Sequence, residues 1–84
     1  MLNIKVVDML KENFRLNLIH LLDKQGRGAR SGLARHLDVS LPFISQLCDG
    51  SCVPTLDRIE QIAAYFKIKG HRMLAEPKVK IGIG

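Results

Sequence analysis

The sequence predicts a mainly α-helical domain of five helices, with a short strand-like segment at each end of the chain. Three observations carry this. Apolar residues recur at three- and four-residue intervals through most of the chain, the period of one helix face. Small polar residues that start helices, and glycines or prolines that stop them, punctuate those runs. Strict alternation occurs only at the ends, where Leu2, Ile4 and Val6, and later Val79, Ile81 and Ile83, occupy every second position.

The 84 residues allow a single domain spanning 1–84, with its core over about 9–75 and ends over 1–7 and 78–84 that read as strand-like or frayed. A chain of this size buries roughly 60–65% of the surface its unfolded form exposes. With 46% hydrophobic residues and 25% charged, it is too apolar for a disordered chain. Two cysteines are too few for a disulfide scaffold. Lys5 and Asp8 interrupt the apolar amino terminus, which therefore does not read as a secretory signal. No apolar run approaches a membrane span, so the expected compartment is the cytoplasm.

Asp8 reads as the N-cap of a first helix over residues 9–24. Leu10, Phe14, Leu18, Leu21 and Leu22 form its apolar face, broadened by Leu16 and Ile19. Gly26 and Gly28 stop it, and a basic loop follows. A second helix over 31–38 turns Leu33, Ala34 and Leu37 inward. Val39 and Ser40 make a tight connection to a third helix over 41–48. Ser40 is an N-cap residue, and Pro42 lies in the first turn, where its missing N–H costs least. Ile44 and Leu47 face inward, and Asp49–Gly50 ends the helix. Thr55 caps a fourth helix whose buried stripe is Leu56, Ile59, Ile62, Ala63 and Phe66, with Asp57 at its positive end. One further turn over 70–75 carries Met73 and Leu74 and stops at Pro77. The two end segments are expected to pair as a β-ribbon, within one chain or between two, because a lone strand leaves its backbone groups without partners.

Charge is unevenly placed. Thirteen Lys and Arg against eight Asp and Glu give +5 and a pI near 9.6, which favours a polyanionic partner. Lys24, Arg27, Arg30 and Arg35 cluster with no acid among them, whereas residues 37–53 carry no Lys or Arg. Cys48 and Cys52, with His20, His36 and His71 scattered, do not complete a four-ligand metal set, so two free thiols are expected and no metal. No nucleophile–base set or paired carboxylates sit near a plausible cleft, and Gly26-x-Gly28 lacks the remaining spacing of a phosphate loop. An enzyme, a cofactor and a small-molecule ligand are therefore not expected.

Residues 30–49 hold the informative pattern: two short helices joined by about three residues, with small Ala34 at the crossing. This is helix-turn-helix spacing, which leaves one face of the second helix free for a major groove. Leu33-Ala34, Leu37, Val39-Ser40 and Ile44-Ser45, followed by Gly50, Pro54, Leu56 and the Ile59/Ile62/Ala63 helix, resemble the phage Cro/repressor helix-turn-helix family of the xenobiotic-response-element type. The resemblance covers about residues 10–74. It implies a compact five-helix domain that binds operator DNA, commonly as a homodimer. Asp38 stands where the family commonly has glycine, and aspartate is among the few residues that tolerate positive φ. The third helix departs further, reading Leu41-Pro42-Phe43-Ile44-Ser45-Gln46 without Arg, Lys or Asn.

The resemblance places Gln46 and Ser45 on the groove side. A glutamine amide matches adenine N6 and N7. Leu41 and Pro42, at the start of that helix, can touch a thymine methyl, and Phe43 lies between core and groove. Arg30 falls where family members commonly contact phosphate. Arg27, Arg35 and Ser40 flank it, and Ser51, Thr55 and Arg58 can meet the opposite backbone. The expected function is a sequence-specific, double-stranded-DNA-binding transcriptional regulator, a repressor of phage or prophage type. The acidic, apolar third helix supports an alternative, a protein-interaction module or an antitoxin-type partner-binding protein.

Overall fold

Helical period, not alternation, governs residues 4–76. The computed structural model describes residues 4–76, with side chains from Met9. Five helices follow in order: α1 Ile4–Gln25, α2 Ala29–Leu37, α3 Leu41–Asp49, α4 Leu56–Tyr65 and α5 Gly70–Met73. There is no strand among the described residues, and no helix among them is long and apolar enough to cross a membrane.

α1 corrects two expectations. It runs 22 residues, through the segment expected as a strand from Ile4 and through Asp8, expected as its cap. No glycine or proline precedes Gly26, and Val7 lies seven residues before Phe14, so the helical register continues backward. Each residue added to an existing helix gains a hydrogen bond, whereas a lone strand has none to gain. Residues 1–3, Pro77 and the strand expected over 78–84 lie outside the described residues, and with them the rest of the ribbon.

Gly26 (φ 90°) ends α1, its N–H donating to Leu22 O at 3.1 Å. α2 then begins at Ala29, two residues before the expected start at Ser31, because left-handed Gly28 turns the chain early and buries the Ala29 methyl. The expected caps of α3 and α4 are present and alike. Ser40 Oγ accepts the Phe43 N–H at 3.3 Å, and Thr55 Oγ1 accepts the Arg58 N–H at 3.2 Å. α3 ends at Asp49, with left-handed Gly50 after it.

α2 and α4 end in the same way. Asp38 has φ 60° and Lys67 has φ 62°. After α2, Asp38 N–H donates to Arg35 O at 3.2 Å and Val39 N–H to Ala34 O at 3.0 Å. After α4, Lys67 N–H donates to Ala64 O at 3.0 Å and Ile68 N–H to Ala63 O at 2.9 Å. Both are Schellman closures, in which a left-handed residue lets two N–H groups satisfy the last helical carbonyls. In each, the next residue, Val39 or Ile68, packs on the core. Asp38 matches the sequence expectation. Lys67 does not announce itself by residue type, but Ile62-Ala63-x-x-Phe66-Lys67-Ile68 repeats the pattern Leu33-Ala34-x-x-Leu37-Asp38-Val39.

The helices enclose one core. Leu18, Leu33, Ile44, Leu47, Ile62 and Met73 are its fully buried large side chains, with Phe14, Leu22 and Ala34 beside them. Three residues expected on the apolar faces are exposed: Leu10, at 40%, Leu16, at 39%, and Leu56, at 75%. Phe66 is only half-buried. Leu10 lies one turn before Phe14, where α1 first enters the core. Leu56 is the first residue of α4, so its Cβ tilts back past the helix start and away from the body. Mid-helix Gly32 answers a contact, since a Cβ there would stand 2.9 Å from Tyr65 Oη of α4.

α5 has four residues, too few to hold itself. Side chains of α1 satisfy its terminal carbonyls: Asn13 Nδ2 donates to Leu74 O at 3.1 Å, and Asn17 Nδ2 to Met73 O at 2.8 Å and Ala75 O at 2.9 Å. A left-handed backbone costs an L-residue about 1–2 kcal/mol, offset in part by the extra chain entropy glycine loses, about 0.5–1 kcal/mol. Lys67→Gly should therefore raise stability by about 0.5–1 kcal/mol in urea unfolding, while Asp38→Val lowers it by about 1–2 kcal/mol.

Candidate nucleic-acid interface

α3 turns about 100° per residue, so its nine positions sort into faces. Ile44, Leu47 and Cys48 point into the core. Pro42, Ser45, Gln46 and Asp49 are exposed on the opposite side, and exposed Leu41 borders that strip next to the Cys48 position. The expected base-contacting residues therefore stand on one outward strip and its border.

The two flanks of the strip differ. On the Leu41/Ser45 side lies a concavity of about 370 Å3. Ile19, Leu22 and Asp23 of α1 line it, together with Arg30 and Ser31 at the start of α2. Arg30 thus stands inside the first turn of α2 rather than before it, among backbone N–H groups without helical acceptors. On the other flank the guanidinium carbon of Arg58 lies 5.6 Å from the centre of the half-buried Phe43 ring, and Arg58 Nη1 donates to Gln61 Oε1 at 3.1 Å.

The structure brings Arg30, Leu41 and Ser45 around one hollow, while Pro42 and Gln46 are exposed on α3 outside it. The rest of the basic cluster is split. Arg27 is exposed in the turn between α1 and α2, and Arg35 is exposed toward the end of α2, and neither lines the hollow. Ser40 and Thr55 act first as helix caps. The Ser51 N–H is committed to Asp49 Oδ1 at 2.8 Å. Hydrogen bonds from the Ser51 hydroxyl and N–H hold the Asp49 carboxyl below its ordinary value.

Arg15 is a residue that the sequence reading missed. Its Nη1 donates to Cys48 O at 3.3 Å, and Nη2 and Nε hold the Glu12 carboxylate at 2.7 and 3.1 Å. The last turn of α3 has no basic residue, so a cation reaches its negative end from α1 instead. That lack was a usable signal, but not which arginine would answer it. Cys48 and Cys52 are free thiols, and burial pushes the Cys48 thiol up.

No family model, curated protein or solved structure matches the chain.

Because the Asp49 carboxyl sits lower in the folded chain than in the unfolded one, its contribution to stability is present at neutral pH. It is lost as pH falls through the depressed folded value. Asp49→Asn should flatten the acid limb of a stability–pH profile. An unchanged acid limb would show that the Ser51 contacts add nothing to stability.

Proposed function

We propose that this chain is a sequence-specific DNA-binding regulator of transcription, a repressor of phage or prophage type, that docks α3 in the major groove as a homodimer. The observation that carries the reading is the α2–α3 unit. Two nine-residue helices are joined through a left-handed Asp38 and a capping Ser40, and the second presents an exposed polar and apolar strip flanked by Arg30. In a helix-turn-helix of this kind the first helix crosses the phosphate backbone and the second meets base edges. Arg30, with the free N–H groups of α2, suits a phosphate on one side. Arg27, Arg35 and the Ser40 hydroxyl extend that contact. Thr55, Ser51 and Arg58 stand toward the other strand. Cations on the flanks supply attraction, while the uncharged strip reads sequence. Two such units in a dimer would take half-sites about 34 Å apart.

A second reading rests on the connection between α3 and α4, which adjoins the strip at Asp49. Val53 is 57% exposed and Leu56 75% exposed, and exposed Asp49 and Asp57 lie close in sequence. Exposed apolar side chains next to acids suit a basic protein partner, as in an interaction module or an antitoxin-type protein.

Arg30→Ala should weaken duplex binding at every sequence and lower the log–log salt slope by roughly 0.9. Unchanged affinity and slope would place the docking face elsewhere. Gln46→Ala should cost about 1–3 kcal/mol on a preferred site and relax selection at one base pair, measured by competition among duplexes. A uniform loss over all sequences would assign Gln46 to the backbone or to folding.

A further inference from the structure

The exposed strip of α3 and its border consist of Leu41, Pro42, Ser45, Gln46 and Asp49, and none of these is cationic. In the major groove guanine is read by Arg or Lys bridging O6 and N7, and this strip holds no group that makes that contact. Cytosine offers an N4 donor, which a carboxylate can accept. The one carboxylate here, Asp49, lies in the last turn of α3 with Oδ1 held by Ser51 N–H at 2.8 Å. The Ser45 hydroxyl both donates and accepts, so it fits any base edge and selects none. Two selective contacts then remain. The Gln46 amide matches adenine N6 and N7. The other contact is apolar. Leu41, 45% exposed, and exposed Pro42 open α3, at the end where a recognition helix meets base edges. The apolar feature of a base edge in that groove is the C5-methyl group of a pyrimidine.

Resting on the DNA-binding reading above, we propose that α3 recognises C5-methylated pyrimidines: its half-site is built of A·T pairs, with adenine read by Gln46 and thymine methyl groups by Leu41 and Pro42. Neither Leu41 nor Pro42 has a side-chain hydrogen-bonding group, so each reads the methyl group and not the atom at C4. A 5-methylcytosine therefore substitutes for thymine at those positions, and unmethylated cytosine does not. Specificity here follows from which contacts the strip lacks as much as from those it offers.

The experiment uses the full chain. A half-site is selected from random duplex DNA, and each thymine of the winner is then replaced in turn by uracil, which removes only the methyl. The selected half-site should be rich in A·T pairs. Uracil at one or two positions should weaken binding about fourfold, the worth of one buried methyl. A 5-methylcytosine·guanine pair at the same position should bind better than cytosine·guanine by a similar factor. Leu41→Ala, or Pro42→Ala if the first variant fails a circular-dichroism check of folding, should erase the uracil effect at its own position. A half-site rich in G·C pairs overturns the proposal. So does a uracil scan without effect in a protein that still binds duplex with a steep salt slope, and both results leave the DNA-binding reading standing. Absence of duplex binding overturns both.

Discussion

The hydrogen bond from Val39 N–H to Ala34 O, 3.0 Å long, sets the position of everything that follows it. It closes α2 only because Asp38 takes a left-handed backbone, φ 60°. The reversal drops Val39 onto the core, leaves Ser40 to cap α3, and starts α3 in the register that buries Ile44 completely. Small Ala34 matters for the same reason, since a bulky residue there would push the two helices apart. With Ile44 inward, the spacing of a helix leaves Pro42, Ser45, Gln46 and Asp49 outward. The composition of the exposed strip is thus a consequence of one turn.

α1 serves its neighbours α2, α3 and α5 in two ways. Phe14, Leu18 and Leu22 give it an apolar stripe that enters the core. Asn13, Arg15 and Asn17, interleaved with that stripe, donate to backbone carbonyls at the ends of α3 and α5. Unsatisfied carbonyls at a helix end carry partial negative charge. Charge or amides from a neighbouring helix meet that need where the short helices lack their own. This relieves α3 of any requirement for a basic residue in its last turn, and so permits an outward strip free of cations. Under the proposed function, attraction to phosphate and reading of bases are divided between α2 and α3.

The flanks of α3 also divide labour. One holds Arg30 in the wall of a hollow lined by both apolar and polar side chains. The other holds Arg58 stacked on Phe43 and bonded to Gln61, near the exposed Leu56 at the start of α4. The net charge of +5 therefore describes the chain and not its surface at every point.

Local chemistry was legible in the sequence wherever one residue decides its own backbone. Ser40 and Thr55 cap because their oxygens reach an N–H three residues on. Asp38 accepts positive φ, Gly26 and Gly50 stop helices, and the spacing of Phe14, Leu18, Leu33, Ile44 and Ile62 marks the core. Lys67 shows the limit of residue type, because only its place after an Ala-x-x-Phe pattern resembles that of Asp38. The start of α1 and the exposure of Leu10 and Leu56 depend on where the body of the protein ends, which no periodicity states. The pairings of Asn17 with α5, Arg15 with α3 and Arg58 with Phe43 are long-range or cross-element contacts. Hydrophobic spacing selects which face of a helix is buried, but the neighbour that face meets is chosen by packing of all five helices at once. The strip on α3 was therefore written in the sequence, and its two unlike flanks arose only when α1, α2 and α4 closed around it.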